Sequence, residues 1–520
     1  MSVFLHGSAD LPEAGTYGHW LAVTGTAVSL DVARKLPDLG RRLEREFDGI
    51  REDWWRLGRE LAAEPTGDLA HAPTCAAYGS DFGLMLAWGR LAERLAAESE
   101  ATLVVCDDPW LFRHIAAMSG VKAGRAPRLC PVLLRLRVRG YLSRMRVAMR
   151  AAMATVLPRT RGKSALLVYG HPRSTADGHD AYFGGLMTEQ PALVRLLHTD
   201  CPVGRARQLA GDGRTASLHA WGNPWFALTL PFVRWRPSSG DWLVRRAAEI
   251  EGGGGAHAMT RWQRHCQERW LADTKPACIA WPWENHPWER SFVRAARRAG
   301  VRTVGYQHTD VGPHQFNMAT ASNPDGLHSI PDRLLLNGAA YREQLLRWGI
   351  PEDRLVIGGA FRIARFGKGH FDPAGPVFVA LSAIAAVSTQ MMRAVRAATG
   401  AGRVFLVKDH PMYPFALEET DDVRRTGKTI PESPGISAVF FGTGTSGIEG
   451  VLAGVPTFRL LPDDRVGIDT MPEGLTAVSV TADGLGAALD ANPEPPDVTW
   501  DDLFSDVDPA VWREELRLSP

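Results

Sequence analysis

The chain has 520 residues, 45% of them hydrophobic, and its 59 Lys and Arg nearly cancel 58 Asp and Glu to leave a formal charge of +1. That length exceeds one ordinary core and fits two large domains, while the balanced charge gives no electrostatic ground for nucleic-acid binding. Six scattered cysteines (Cys75, Cys106, Cys130, Cys201, Cys266, Cys278) form no CxxC pair or His/Cys cluster, which argues against a zinc centre or a disulfide framework and fits a reducing compartment.

The amino terminus, MSVFLHGSADLPEAGTYGHW, lacks the basic and apolar regions of a secretion signal. No later stretch reaches the ~18 uncharged apolar residues of a membrane span, so the expected location is the cytoplasm. Residues 30–61 and 81–98 pattern as amphipathic helices that support a domain rather than carry chemistry. From residue 102 the texture changes to short β-rich runs, each followed by polar or Gly/Pro residues and a helical pattern, which predicts βα units and parallel sheets. TLVVC (102–106), ALLVY (165–169), ACIAW (277–281) and TVGYQ (303–307) are assigned to an N-terminal half. RLLLN (333–337), RLVIGG (354–359), VFVALS (377–382), VFLVK (404–408), AVFFG (438–442) and TFRLL (457–461) are assigned to a C-terminal half.

The predicted fold class is α/β, with two Rossmann-like doubly wound domains facing one another across a cleft. Their expected bounds are 1–325 and 326–490, joined by a loop-like stretch at 314–331, and the tail 491–520 packs back across the junction through a helix at 509–516. The glycine run 252–255 reads as a flexible surface loop. From 121 through 176 there is no Asp or Glu, while Arg135, Arg137, Arg139, Arg144, Arg146, Arg150, Arg159, Arg161 and Lys163 recur among Leu, Val and Met. Such a surface suits peripheral contact with an anionic membrane at its inner face, or an anionic acceptor; a solvated basic helix packed on the acidic helices of 40–100 has the same pattern.

In an open α/β sheet, ligands bind beyond the carboxyl ends of the strands. Ser382 follows one strand; Lys408, Asp409, His410 and Pro411 follow another. FGTGTSGIEGVLAGVP runs from a strand through Gly442, Thr443, Gly444, Thr445, Ser446 and Gly447 into a short helix. Small residues let backbone amides approach a phosphate and the hydroxyls add donors, although a plain βα turn with a Ser or Thr cap looks alike. Glu449, one turn into that helix, is placed to accept from ribose hydroxyls. His410 can donate to a phosphate and stabilise a departing nucleotide, with Pro411 fixing the chain direction.

The order KDHP, then GTGTSGIEGVLAGVP, resembles the HP and Ser/Thr motifs of bacterial sialyltransferases and capsule Kdo transferases, and PDRLLLNGAAYREQLLRWGIPEDRLVIGGAFR resembles the segment that opens their donor domain. The resemblance covers residues 277–460. It implies the GT-B fold, metal-independent transfer from a CMP-activated acidic sugar, and donor-phosphate contacts from His410, Thr445 and Ser446. The acid/base motif of the sialyltransferases has no counterpart here.

Three further strand ends carry polar clusters: His171, Asp177, His179 and Asp180 after ALLVY, Glu284 and His286 after ACIAW, and His308 after TVGYQ. A base that deprotonates an acceptor hydroxyl needs a carboxylate at the cleft with its pKa raised by burial; Glu284 is the first choice and Asp180 the second. His308, His286, His171 and Asp177 are placed to orient the acceptor or the donor sugar. No DxD, Walker or N-terminal GxGxxG pattern is present, so no cofactor or metal is expected, and Asp107-Asp108 and Asp463-Asp464 read as loop carboxylates. The expected partners are a nucleotide-sugar donor and a glycan, glycolipid or protein acceptor. A UDP-sugar transferase, a non-hydrolysing sugar-nucleotide epimerase and a non-catalytic subunit of a polysaccharide assembly complex are the alternatives.

Overall fold

A computed structural model describes residues 2–518 except 14, 65, 73, 75–78, 401, 412, 492 and 496, so Cys75 lies outside the described residues. Each β-rich run between 102 and 461 forms a strand; most are buried on both faces of a parallel sheet, while the run at 354–359 lies at a sheet edge and exposes Ile357. Among the described residues the strands assemble into three sheets, each of them parallel.

The middle sheet contains β5 (Ser164–Val168), β6 (Leu193–Leu197), β7 (Thr215–Ser217), β8 (Cys278–Pro282), β9 (Arg302–Gln307), β10 (Arg333–Leu336) and β11 (Leu355–Ile357), in the order β11-β10-β9-β8-β5-β6-β7. Counted from its first strand this is 3-2-1-4-5-6 with a seventh strand added, the doubly wound order of a Rossmann sheet. The C-terminal sheet contains β12 (Val377–Ala380), β13 (Phe405–Lys408), β14 (Val423–Arg425), β15 (Ala438–Phe441), β16 (Thr457–Leu460) and β17 (Val478–Val480), in the order β14-β13-β12-β15-β16-β17. That is again 3-2-1-4-5-6. The expected class, α/β with two Rossmann-like domains, is the one the chain adopts.

Two assignments are corrected. β10 and β11 extend the middle sheet by pairing with β9, so the change of sheet falls between Ile357 and Val377 rather than at 325/326. The run 102–106 does not enter the middle sheet. It forms β3 (Thr102–Val105) of a separate N-terminal sheet with β1 (Val3–His6), β2 (His19–Ala22) and β4 (Val121–Ala123), in the order β2-β3-β1-β4. The helices Leu39–Gly49, Arg51–Ala63 and Phe82–Ala97 share one hydrophobic core with it. This third unit touches both others: Lys35 pairs with Asp463 at 2.5 Å, Arg459 donates to Glu44 at 2.6 Å, and the Trp55 indole donates to the Phe316 carbonyl at 2.8 Å. Asp463 and Asp464 are thereby loop carboxylates, as are Asp107, which accepts from Ser8, and Asp108, which pairs with Arg246.

The glycine run is also corrected. Gly252 and Gly253 are buried, and a β-carbon on Gly252 would lie 2.8 Å from the Trp235 ring and 2.9 Å from the Ala248 carbonyl. These glycines permit close packing rather than mobility.

The helix Pro509–Glu515 returns from the end of the chain to the middle sheet. Trp512 is fully buried against Phe183, Tyr306 and Phe361, and its indole donates to the Gly358 carbonyl at 2.8 Å. Trp512→Ala is expected to cost about 3–5 kcal/mol, since it leaves a cavity and an unsatisfied carbonyl; urea denaturation would measure it, and a loss below about 1 kcal/mol would show the tail to be only loosely docked.

Candidate functional site

A doubly wound sheet opens a crevice where its strand order reverses. In the middle sheet that point lies between β5 and β8, and in the C-terminal sheet between β12 and β15. The loops leaving these four strands carry most of the polar residues singled out in the sequence.

Glu284 leaves β8 in a loop held from all sides. Its backbone N–H and that of His286 donate to the Glu289 carboxylate, which also accepts from the Trp281 indole. Asn285 adopts φ +56, a left-handed conformation Asn tolerates, and its amide donates to the Asn317 carbonyl at 2.6 Å and to Asn323 at 2.8 Å. Asn317 in turn donates to the Glu284 carbonyl, and Arg290 ties Asn285 to Ser322. The stretch 314–331, expected as a linker, is therefore the scaffold that grips the Glu284 loop. Pro287 then starts the Pro287–Arg298 helix.

The Glu284 side chain sits deep but keeps 32% of its surface accessible, with one carboxylate oxygen 2.7 Å from His286 Nε2 and the other 3.6 Å from His308 Nε2. Burial alone would raise its pKa, but the His286 hydrogen bond and the charges of His286, His308 and Arg362 outweigh it and hold the carboxyl at about 2. The raised pKa expected of a base at this position is thus reversed. Burial lowers His308 to about 4, and lowers His171 to about 4 with help from Arg173, Arg362 and Arg205, so both imidazoles are neutral at pH 7. The Tyr182 ring packs edge-on against both, 5.1 Å from His308 and 5.9 Å from His171.

Two residues outside the sequence-derived set complete the cluster. Arg362, in the segment that crosses from β11 to β12, lies over the Tyr182 ring at 5.2 Å. Its Nε is buried without a hydrogen-bond partner, and among the described residues no carboxylate stands at ion-pair distance. Its charge nevertheless acts on Glu284, His308, His171, Asp310 and Glu449. Asp310, just beyond β9, is 1% exposed; Tyr341 donates to one oxygen at 3.5 Å and the other has no partner. Burial first, then the negative charge of Glu449, raises it to about 7. The GYQHTD segment showed a polar strand end, but nothing in the sequence distinguishes Asp310 from a capping residue, and Arg362 is brought to the cleft only by the path of the chain between the sheets.

The C-terminal sheet supplies the opposite wall. Glu449, in the Ser446–Leu452 helix, is raised by burial against the opposing pull of Lys408, Arg173 and Arg362. The two sheets approach closely here: a β-carbon on Gly312 would lie 2.3 Å from the Asp469 carbonyl oxygen. Ser382 Oγ lies 3.0 Å from Thr443 Oγ1 and accepts from the Ile384 N–H, which stitches the switch-point loops of β12 and β15 together. Gly442 and Gly447 are buried, while Thr443, Gly444, Thr445 and Ser446 are half-buried. Thr445 makes no side-chain cap bond to the helix.

Other expected residues are differently employed. Lys408 Nζ donates to the carbonyls of Gly427 and Lys428 at 2.9 and 2.8 Å. The His410 ring packs on Tyr413, with centroids 5.4 Å apart, and burial lowers its pKa; Pro411 is exposed. Asp180 is 1% exposed and accepts from the Tyr182 N–H and Ser174 Oγ, with Arg195 at 3.7 Å. These donors and Arg195 engage both Asp180 oxygens, so Asp180 organises the loop instead of serving as the base. Asp177 and His179 are exposed, with Asp177 accepting from Thr175 and the His179 N–H.

The Asp310 environment carries a pH prediction. Its folded pKa of about 7 lies above the unfolded value of about 3.9. The native state therefore holds the extra proton: this contribution to stability is complete below about pH 4 and is lost as pH rises through 7. Asp310→Asn stays neutral throughout, so its melting temperature relative to the wild type is expected to rise between about pH 5 and pH 8. A difference independent of pH would contradict a protonated Asp310.

No known protein family matches the sequence, and no curated protein matches it. Solved structures do align. The Methanocaldococcus jannaschii UDP-GlcNAc 2-epimerase in complex with UDP-GlcNAc and UDP is 12% identical, with 67% of this chain and 98% of that chain covered and a TM-score of 0.40. CalG4, the calicheamicin glycosyltransferase, is 12% identical, with 69% and 93% covered and a TM-score of 0.38. The glycosyltransferase SnogD from Streptomyces nogalater is 14% identical, with 69% and 96% covered and a TM-score of 0.35. None of the three is named as a sialyltransferase or Kdo transferase, and no residue of this chain takes a role from these likenesses.

Proposed function

We propose that the chain is a nucleotide-sugar-dependent glycosyltransferase of GT-B type whose reaction takes place between the middle and C-terminal sheets. The observation that carries this reading is the convergence of Glu284, His308, Asp310 and Arg362 from one Rossmann-like sheet with Glu449 from the other. Arg362 is a guanidinium without a carboxylate partner in a cleft otherwise rich in carboxyls, which suits recognition of an anionic ligand. The finer proposal is a CMP-activated acidic sugar: Arg362 receives the anion of the donor, neutral His171 donates to its oxygens, and Glu449 accepts from the ribose hydroxyls.

In this reading the acceptor hydroxyl donates to Glu284. A carboxylate with a pKa of about 2 is a weak base towards a free alcohol. As the bond from the anomeric carbon to the phosphate oxygen breaks, CMP leaves as an anion held by Arg362, and the acceptor oxygen bonds to that carbon, its proton becomes more acidic than the Glu284 carboxyl, so late transfer is downhill. His286 and His308 hold the carboxylate in place for that step. The acceptor is a surface glycan, a lipid-linked sugar or a protein, and no metal takes part.

A thermal-shift screen of nucleotides tests the donor. CMP or CDP is expected to raise the melting temperature with no effect of EDTA; a response to UMP or UDP alone would replace the acidic-sugar reading with a UDP-sugar transferase. The Asp310–Glu449 pair favours one second reading, a sugar-nucleotide epimerase, because two neighbouring carboxyls, both raised by burial, suit proton removal and return on one substrate. Conversion of the sugar nucleotide without an acceptor would establish it.

A further inference from the structure

The helix Leu129–Ala154 is 26 residues long, about 39 Å, and contains no acidic side chain. It has two apolar faces. Gly140, Ala148, Ala151 and Ala154 face the protein. On the other side Leu134, Val138, Leu142, Met149 and Met153 follow one another at helical spacing, each 50–66% exposed. Exposed Arg135, Arg139, Arg146 and Arg150 flank this stripe along one edge.

A second element extends the surface. The segment 224–232 packs on the helix and exposes Trp225 (76%), Leu228 (56%) and Phe232 (78%). It is clamped there by buried Arg144, which donates to the Pro231 carbonyl at 2.9 Å and to the Gly253 carbonyl. The aromatic tips therefore belong to a rigid face. Beside Phe232 opens a surface groove of about 460 Å³ lined by Arg236 and Arg261, and by Arg234, which pairs with Glu249.

We propose that this face docks on the surface of an anionic phospholipid bilayer. The apolar stripe and the Trp225 and Phe232 rings enter the boundary between headgroups and acyl chains, and the arginines meet lipid phosphates. Charge complementarity selects this occupant over a second copy of the chain, because a self-complementary contact would bring the same uncompensated arginines together. The contact is peripheral: among the described residues no helix is long and apolar enough to cross a membrane.

Sedimentation of the full chain with phosphatidylcholine vesicles, with and without phosphatidylglycerol, tests the proposal. Binding is expected to require phosphatidylglycerol and to weaken with salt. The triple variant Arg139→Gln/Arg146→Gln/Arg150→Gln is expected to lower partitioning on the order of 100-fold, and Trp225→Ala/Phe232→Ala more than about tenfold. Both change only exposed side chains, so both should melt as the wild type does. Equal sedimentation with neutral vesicles, or binding unchanged in both variants, would overturn the proposal. So would light scattering that shows a dimer abolished by the same substitutions.

Discussion

Arg362→Ala is expected to lower kcat/KM of the proposed transferase for its sugar nucleotide by about 10²–10³, the usual cost of removing one preorganised charge that would stabilise an anion. The guanidinium lies between the two sheets, stacked on Tyr182 and with its Nε unpartnered, while its charge reaches carboxyls on both walls. Removing it therefore withdraws the attraction for a phosphate or carboxylate and leaves Asp310 and Glu449 less opposed, so both carboxyls rise further. The nucleotide-induced thermal shift should vanish in the same variant. Arg362→Lys should recover only part of the loss, since an ammonium cannot make the bidentate contact. Catalysis and nucleotide response within about twofold of the wild type would remove Arg362 from the donor site.

Glu284→Gln should affect turnover more than binding. The amide keeps the size of the side chain and can still meet His286 and His308, but it cannot accept the acceptor's proton, so kcat is expected to fall by about 10²–10⁴. The nucleotide thermal shift should persist, because in the proposed reaction Glu284 meets the acceptor and not the nucleotide. The loop itself should not collapse, as its geometry rests on the backbone and side-chain bonds of Asn285, Glu289, Arg290 and Asn317 rather than on the Glu284 carboxylate. A variant with wild-type kcat would assign the proton to another group, and Asp310 would be the next to substitute.

The sequence by itself determined the class of fold and most of the strands that build it. Runs such as ALLVY and VFLVK announce buried parallel strands because hydrophobicity and β-propensity are local properties, and the polar residues that follow them mark the carboxyl edge of a sheet. Glu284, His286, His308 and Glu449 were legible for that reason. Only the tertiary structure decided which sheet each strand joined: RLLLN and RLVIGG have the composition of either domain, and hydrogen-bond pairing with β9 made them part of the middle sheet.

The electrostatics of the site were decided at the same level. Asp180 and Glu284 are both strand-end carboxylates in the sequence, but packing buries the first with Arg195 and loop donors and leaves the second open between two histidines. Asp310 and Arg362 acquire their properties from neighbours far away in the chain, Glu449 among them. A residue's period and propensity act within a few positions, whereas its pKa and accessibility are set by whatever the fold places around it; the strands could therefore be read from the chain, and the chemistry of the cleft could not.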